Sequence, residues 1–477
     1  KKLFKNKMSR KFKKEFFDNL EVIDINKKGK GVVKSGSGKV IFVDGVVPGD
    51  YIQLETYKKR KGYFEGNLIK INKESSNRII PICEHFGVCG GCKWQNLNYE
   101  TQLKYKQKEV IHNLKHISKM EIPKIEKIKE VNSKFFYRNK MEYSFSNNRW
   151  LSRDEIQNST KIEDKNGLGL HKFGMWDKVV DIKNCYLQKE PSNLIRNSLK
   201  EFCLENKMSF YNQKENKGFL RSLMIRNSIG NEIMILIQFS LNHKQKIKQV
   251  MNYLKENFKI DSLLYCVNMK VNDTIYDQEI QVFSGRDHIV EVMENLKFKI
   301  NVKTFFQTNS EQAYELYKII RDFAKLKGKE VVYDLYTGTG TIAQFIAQKC
   351  NKVIGIDIVK ESINAAKTNS KNNDIKNTFF EYGDIKNLFN ELFVKKYGSP
   401  DLIITDPPRN GMHKDVVKQI LSIKPNKIIY VSCNSSTQAR DLSYLYSSYK
   451  MSRCRAVDMF PHTNHIENVV LLENNEI

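Results

Sequence analysis

The feature that most constrains the fold is an apolar run that ends in a glycine-rich turn, at residues 331–343. Residues 331–335 read as a buried strand, the turn contains Gly338 and Gly340, and a helix begins at Thr341. This order is typical of α/β folds, because glycines let the backbone approach a bound ligand closely. Asp357 ends the next apolar strand, where its carboxylate could accept hydrogen bonds from ribose hydroxyls. The pattern predicts a Rossmann-like α/β domain over residues 296–477.

A proline turn distinguishes this domain from a dehydrogenase, which can share the glycine turn. The apolar strand at residues 402–405 leads directly into Asp406, Pro407, Pro408 and Arg409. A polar residue before two prolines can position a base beside a methyl donor, because the prolines stiffen the loop. The turn therefore favours a methyltransferase, and Asp384, at the end of another strand, could meet an adenine edge.

A single thiol follows a hydrophobic strand near the C-terminus. Residues 428–432 are followed by Cys433, twenty-seven positions after Asp406. A thiol can add to carbon 6 of a pyrimidine and make carbon 5 electron-rich enough to accept a methyl group. The alternative is a small buried hydrophobic residue, which is a common role for cysteine in a core.

Length and charge limit the remaining possibilities. A chain of 477 residues is expected to form about three domains. The net charge of +26 indicates a polyanionic partner, and residues 1–14, with eight basic residues, form a basic tail. The longest apolar stretches, such as residues 233–237, are far shorter than the ~20 residues of a membrane span. We expect a cytoplasmic protein that binds RNA or DNA, without a membrane span.

The N-terminal region, residues 15–73, predicts a small antiparallel barrel. Short alternating segments are separated by turns such as residues 36–38 and 48–50. Residues 57–63 place four basic side chains between Tyr57 and Tyr63, a composition suited to single-stranded RNA. Residues 40–50 resemble the TRAM domain, an RNA-binding barrel, whereas a generic barrel with a charged rim is the alternative.

Three cysteines follow the barrel with the spacing C-x5-C-x2-C. They are Cys83, Cys89 and Cys92, and Cys185 is the candidate fourth ligand. Zinc usually takes four ligands at short range, whereas an iron–sulfur cluster often recruits one distant cysteine. We expect a 4Fe-4S cluster, with zinc or free thiols as alternatives. The x5 gap argues against a radical S-adenosylmethionine enzyme.

The segment between cluster and catalytic domain predicts a mixed α+β domain, residues 74–95 and 120–295, interrupted by a helix at residues 96–119. Strand patterns occur at residues 135–145, 220–227, 232–239, 263–271 and 288–292. The strand at residues 135–145 mixes aromatic and basic side chains. It is either an RNA surface or an ordinary half-buried strand.

Five motifs together resemble the RNA uridine-5 methyltransferase family. They are residues 305–309, 334–341, 406–409, 431–434 and 461–470. With the barrel and the cysteines, the resemblance spans nearly the whole chain. It implies a class I S-adenosylmethionine-dependent methyltransferase of the 23S ribosomal RNA branch, because the transfer RNA enzymes typically lack barrel and cluster.

The resemblance also implies roles for particular residues. Cys433 would be the nucleophile, and Glu467 would remove the proton from carbon 5. The implied contacts to S-adenosylmethionine are Gln307, Tyr336, Asp357, Asp406, Thr341 and Asp384, and Asp406 could instead read the uracil edge. The family often has Glu where Asp357 stands, which leaves the ribose distance open. His462 and His465 are expected to pack or to bind RNA.

Three alternatives remain. The same chemistry could act on transfer RNA. A methyltransferase for exocyclic amines would have an aromatic residue after the two prolines and no nucleophilic thiol, so Arg409 and Cys433 argue against it. A non-catalytic RNA-binding or ribosome assembly factor would not need Cys433 and Glu467.

Overall fold

The computed structural model describes residues 13–158 and 164–476, which form two compact units. The first unit contains residues 13–87, 92–105 and 462–464. The second contains the rest of the described chain. The predicted basic tail at residues 1–14 lies almost entirely outside the described residues.

The first unit is built on a closed five-stranded barrel, as the sequence predicts, but it is not wholly antiparallel, because residues 41–43 pair in parallel with residues 64–66. Its strands are β1 (Phe16–Ile25), β2 (Gly31–Lys34), β3 (Val40–Val43), β4 (Tyr51–Arg60) and β5 (Tyr63–Lys73), hydrogen-bonded in the order β1-β2-β3-β5-β4. Alternate apolar side chains such as Val22, Ile41 and Leu54 point inward and are fully buried. Closure of the sheet leaves no free edge.

The tyrosine-flanked basic segment at residues 57–63 forms the end of a β-hairpin and not an irregular loop. β4 continues to Arg60, β5 begins at Tyr63, and the turn consists of Lys61 and Gly62, whose φ is +86°. Tyr57 donates a hydrogen bond to Glu65 (2.7 Å), and Arg60 pairs with the same carboxylate (3.0 Å). The exposed lysines of this segment therefore lie on a regular hairpin.

The helix predicted after the cysteines is present as α1 (Tyr99–Ile117). The second unit then contains a seven-stranded mixed sheet in the order β13-β12-β11-β10-β7-β8-β9. Its strands and helices are β7 (Lys140–Ser146), α2 (Arg153–Asn158), β8 (Gly167–His171), β9 (Val179–Asp181), α3 (Ser192–Glu205), β10 (Leu220–Asn227), β11 (Ile233–Phe239), α4 (Lys244–Asn257), β12 (Ser262–Val267) and β13 (Gln281–Gly285).

Two strand predictions in this region need correction. β7 begins only at Lys140, and its aromatic side chains Tyr143 and Phe145 are fully buried. Alternation along the strand turns them into the core, so this strand does not present an aromatic RNA surface. The strand predicted at residues 288–292 belongs instead to a separate hairpin of β14 (Ile289–Met293) and β15 (Leu296–Ile300).

An eight-stranded sheet forms the C-terminal part, in the order β18-β17-β16-β19-β20-β22-β21-β6. Its elements are β6 (Glu126–Lys129), α5 (Ser310–Ala324), β16 (Val331–Leu335), α6 (Thr341–Ala347), β17 (Lys352–Asp357), α7 (Lys360–Asn372), β18 (Thr378–Tyr382), α8 (Ile385–Leu388), α9 (Glu391–Tyr397), β19 (Leu402–Thr405), α10 (Lys414–Ile423), β20 (Lys427–Ser432), α11 (Ser435–Leu445), β21 (Tyr449–Val457) and β22 (Glu467–Asn474).

The first five strands of this sheet are parallel, and β22 runs antiparallel to β20. The edge strand β6 comes from residues that the sequence assigned to the central domain, and it pairs with β21. The boundary predicted at residue 296 does not anticipate this strand. None of the described helices is long and apolar enough to cross a membrane.

Candidate active site

The register of the C-terminal sheet brings Cys433 and Glu467 to the same edge. Cys433 follows β20, and Ser432 is paired with Asn468 of the antiparallel strand β22. One step further along this register, Cys433 faces Glu467. The proximity depends on a reversed strand, because only an antiparallel β22 starts where its parallel neighbour ends.

Asp406 reaches this edge from the other side of β20. Thr405, at the end of β19, pairs with Tyr430 on one side and with Leu335 on the other. Asp406 follows Thr405, and its amide donates to the carbonyl of Leu335 (3.4 Å). The thiol of Cys433 and the carboxylate of Asp406 thus lie at the carboxyl ends of adjacent parallel strands. This edge is where such sheets usually bind their ligands.

The electrostatics of the edge are dominated by buried acids. Burial raises the pKa of Asp406 to about 7, and burial together with the Asp406 charge raises the pKa of Glu467 well above its ordinary value. Burial, then Glu467 and Asp406, raises the pKa of the Cys433 thiol to about 11. Like charges in a low-dielectric site disfavour ionisation of all three groups.

Arg409 is the cation that opposes this trend. Its guanidinium lowers the pKa of Cys433 by charge and by a hydrogen bond, and it also lowers that of Glu467. The backbone of Arg409 is fixed, because its carbonyl accepts from Asn434 Nδ2 (3.0 Å) and Thr437 Oγ1 (3.1 Å). Since Asn434 follows Cys433 directly, the arginine and the thiol are held together by the first turn of α11.

The glycine turn after β16, which we call the glycine cradle, leaves open space beside Gly338. Gly338 and Gly340 have φ of +55° and +71°, and a Cβ on Gly340 would meet the Phe380 ring at 2.7 Å. A Cβ on Gly338 would meet nothing within 4 Å. Asp357 organises the turn by accepting from the amides of Gly338 (2.9 Å) and Val359 (2.8 Å).

Asp334 lies beneath this turn and carries an unused acceptor. The residue is 1% exposed, and burial raises its pKa to about 7. Oδ2 accepts from Thr337 Oγ1 (2.6 Å), whereas Oδ1 is buried without a hydrogen-bond partner. An unsatisfied buried oxygen beside an open glycine cradle fits a polar ligand such as the amino acid part of S-adenosylmethionine. The residues around the turn therefore suit that cofactor.

Gln307, another predicted cofactor contact, lies in the chain segment before α5. Gln307 is buried, and its carbonyl accepts from Asn139 (2.9 Å). It does not cap α5, because Asn309 does so by accepting from the Gln312 amide (3.1 Å). The prediction that Gln307 faces the cofactor is compatible with this position in the chain segment before α5.

Tyr336 and Thr341 flank the glycine turn, whereas Asp384 has another role. Tyr336 adopts a φ of +63°, and Thr341 is the buried first residue of α6. Asp384 caps α8 by accepting from the Lys386 amide (3.2 Å), and its carboxylate pairs with Lys386 Nζ (3.2 Å). Contact with adenine would compete with both interactions.

Sequence reasoning missed Tyr317 as a neighbour of the site. Burial, then the charge of Asp406, raises its pKa, and its hydroxyl shares a hydrogen bond with Thr341. The charges of Asp334 and Glu467 act on it as well. Tyr317 occupies an ordinary core position of α5, so the apolar periodicity of that helix gave no signal for it.

A buried ion pair fixes the chain segment that approaches Glu467. Lys106 and Asp458 are fully buried, with 2.6 Å between Nζ and Oδ1, and Lys106 also donates to the carbonyl of Phe460 (3.0 Å). Asn309 Nδ2 donates to the carbonyl of Met459 (2.9 Å). These long-range contacts set where the segment turns into β22.

The two histidines of the closing motif differ. In the first unit, His462 is buried and its ring Nδ1 lies 3.3 Å from Gln102 Nε2. In the second unit, Nδ1 of His465 lies 3.5 Å from the Arg409 guanidinium. His462 therefore packs, in line with the expectation, and His465 is placed to orient Arg409.

The four predicted cluster cysteines are divided between the units. Cys83 and Cys92 belong to the first, Cys89 and Cys185 to the second. The sulfur of Cys89 accepts from the Gly91 amide (3.4 Å), and the Cys185 amide donates to Asn193 (2.8 Å). In the part of the chain that the structure describes, no group of three or more His, Cys, Asp or Glu side chains is arranged to hold a metal ion.

The fold and the edge residues define the class of protein. A mostly parallel sheet with a glycine cradle after its central strand and polar residues at the strand ends is a class I S-adenosylmethionine-dependent methyltransferase fold. The profile of the tRNA (uracil-5-)-methyltransferase family matches residues 228–475. The chain belongs to this family and is an S-adenosylmethionine-dependent RNA uracil-5 methyltransferase.

Similar proteins cover almost the full length. An RNA methyltransferase of Bacteroides thetaiotaomicron is 49% identical, over 94% of this chain and 99% of that protein. One from Porphyromonas gingivalis is 44% identical, over 96% of this chain and 100% of that protein. The crystal structure of Pyrococcus abyssi tRNA (uracil-54, C5)-methyltransferase with S-adenosyl-L-homocysteine is 29% identical, covering 95% and 99% of the two chains, with a TM-score of 0.75.

Proposed function

We propose that this protein methylates carbon 5 of a uridine in 23S ribosomal RNA, with Cys433 as nucleophile and Glu467 as the final base. The observation that carries the chemistry is the register of β20 and β22, which sets Cys433 opposite Glu467. The five-stranded barrel that precedes the catalytic part supports an RNA substrate, and the choice of 23S RNA rests on the resemblance of the sequence motifs to the ribosomal branch.

The residues of the edge act in sequence. The target uridine leaves its RNA stack at a cost of a few kcal/mol. The Cys433 thiol loses its proton beside Arg409, and its sulfur bonds to carbon 6, which moves electron density onto carbon 5. S-adenosylmethionine, when bound, would supply an electrophilic methyl group: carbon 5 would take it as the methyl–sulfur bond breaks, with S-adenosylhomocysteine as the leaving group. Glu467 then removes the proton from carbon 5, the double bond re-forms, and Cys433 leaves as thiolate.

The raised pKa of Glu467 suits it to that step, because a carboxylate with a higher pKa binds a proton more strongly. Burial, and then the charge of Asp406, raises this pKa above its ordinary value. Gln307, Tyr336, Thr341 and Asp357 are proposed to hold the cofactor, with Asp384 as a weaker contact and Asp406 reading either cofactor or uracil.

Two substitutions test the chemistry. Cys433→Ala should abolish methyl transfer to carbon 5, whereas Cys350→Ala, at a buried thiol three residues after α6, should not. Glu467→Gln should accumulate a covalent protein–RNA adduct on a denaturing gel, and the double variant with Cys433→Ala should form none. Persistent transfer in Cys433→Ala would refute the covalent route.

Transfer RNA is the second candidate substrate. The Pyrococcus abyssi protein, a tRNA (uracil-54, C5)-methyltransferase, covers 95% of this chain and so includes the barrel region. The presence of a barrel therefore does not separate the two substrates. Mapping 5-methyluridine in ribosomal and transfer RNA from a deletion strain tests the proposal: loss from 23S RNA supports it, and loss from tRNA alone contradicts it.

The iron–sulfur cluster, the TRAM identity of the barrel and the cytoplasmic location are also proposed. Spacing of the thiols and the amide hydrogen bond to the Cys89 sulfur support a cluster, because such bonds tune cluster sulfurs. Anaerobically purified protein should contain iron and sulfide. Cys185→Ser should lower both, whereas Cys203→Ser, at a buried thiol in α3, should leave them unchanged; zinc without iron would contradict the cluster.

A further inference from the structure

The turn that joins β8 and β9, residues 172–178, exposes large apolar side chains. Trp176 is 66% exposed and Met175 is 38% exposed. A cavity of about 550 Å³ opens between this turn, His171 and the glycines Gly90 and Gly91. Grouped apolar exposure of this kind usually marks a binding site, since water disfavours it. We call this cavity the indole pocket.

Backbone hydrogen bonds make the indole pocket rigid. Within the turn, the amide of Lys172 donates to the carbonyl of Lys178 (2.8 Å), and the amide of Met175 donates to the carbonyl of Lys172 (3.0 Å). The Gly90 amide donates to the carbonyl of His171 (3.0 Å), where a Cβ would lie only 2.9 Å from that oxygen. One wall is therefore bare backbone, which a flat ring can approach closely.

The charge around the pocket favours an anion. Asp177 is paired with Lys214 (2.8 Å), so Lys172 and Lys178 make the net charge around the pocket positive. Counting Lys172, Lys178 and Lys214 against Asp177 and Asp273, whose charge acts on His171 of the pocket, gives 3 − 2 = +1. The Lys172 ammonium lies 4.4 Å from the centre of the Trp150 ring, which carries no formal charge. An exposed indole beside a lysine pair is the combination that binds unpaired nucleotides.

We propose that the indole pocket binds an unpaired nucleotide of the RNA substrate, with the base stacked on Trp176 and the phosphate beside Lys172. The volume lies within the usual range of ~300–1,000 Å³ for small-ligand sites. The proposal rests on RNA being the substrate, but not on which RNA. None of the pocket residues belongs to the catalytic edge, so the pocket contributes to RNA affinity and not to the methyl transfer step.

Binding of a fluorescent oligouridylate to the full-length protein, followed by anisotropy, tests this. Trp176→Ala should weaken binding at least about fivefold, because stacking on an aromatic ring contributes ~1–3 kcal/mol per base. Trp176→Phe should retain most of the affinity. Leu392→Ala is the matched control, since Leu392 is 76% exposed on α9, and it should bind like the wild type.

An abasic oligonucleotide distinguishes stacking from phosphate contact. Wild-type protein should bind it more weakly than oligouridylate, whereas Trp176→Ala should bind both alike. The proposal would be overturned if Trp176→Ala and the wild type bound oligouridylate with equal affinity. It would also be overturned if Trp176→Ala weakened binding of the abasic oligonucleotide as much as binding of oligouridylate.

Methylation assays separate this inference from the proposed function. With methylatable RNA, Trp176→Ala should raise the KM for RNA at least about fivefold and leave kcat and the KM for S-adenosylmethionine unchanged. A fall in kcat alone would overturn a binding role. If wild-type protein methylates tRNA rather than 23S RNA, the proposed substrate fails while the binding result still decides the pocket.

Discussion

The ionisation of Cys433 gives a quantitative test of the active-site electrostatics. Burial beside Glu467 and Asp406 raises its thiol pKa to about 11. A thiol with that pKa is ionised in about one molecule in a thousand at pH ~8, and each further pH unit raises this fraction about tenfold. Only the thiolate is alkylated at an appreciable rate. The rate at Cys433 should therefore rise about tenfold per pH unit between pH ~7 and ~10 without levelling off.

Arg409→Met is the informative perturbation. Because an opposite charge at this range shifts a pKa by about one unit or more, losing the guanidinium should slow alkylation about tenfold at a fixed pH. Glu467→Gln removes the charge that raises the pKa of Cys433, so it should accelerate alkylation of the thiol. Iodoacetamide labelling of the Cys433 peptide, followed by mass spectrometry, measures the rate, and unfolded protein should level off near pH ~8.5. A wild-type plateau below pH ~9, or an Arg409→Met rate equal to wild type, would refute the reasoning.

Three further predictions concern the supporting structure. Lys106→Met should lower the free energy of unfolding by about 3–5 kcal/mol, because Asp458 then stays buried without its cation, and adding Asp458→Leu should recover most of the loss in thermal melts. Gly340→Ala should weaken S-adenosylmethionine binding at least about tenfold by calorimetry, because a positive φ and a ring contact oppose the new Cβ; Gly230→Ala, where the new Cβ would lie at an ordinary contact distance of 3.6 Å from Ser228 Oγ, should not. The raised pKa of Asp334, about 7, means that stability falls as the pH rises from ~4 to ~7, and Asp334→Asn should remove this part of the dependence in urea titrations.

How much the sequence could predict differs between the parts of the chain. All five barrel strands and the cradle after β16 follow from local patterns, because strand alternation and glycine turns are encoded within a few residues. The same local patterns do not show whether the aromatic side chains of the strand predicted at residues 135–145 are buried or exposed. Alternation shows that Tyr143 and Phe145 share a face, but not whether that face meets the core or solvent.

The reactive residue types can be read directly from the chain: a thiol after one strand, a carboxylate before a proline turn and a glutamate in the closing motif. Their proximity is a property of the folded protein. Reversal of β22 against β20 sets Glu467 opposite Cys433, the edge strand β6 joins from distant chain, and Tyr317 enters from a helix that looks like ordinary core. Such neighbours depend on pairing across tens to hundreds of residues, and no local period of the sequence records which strand lies beside which.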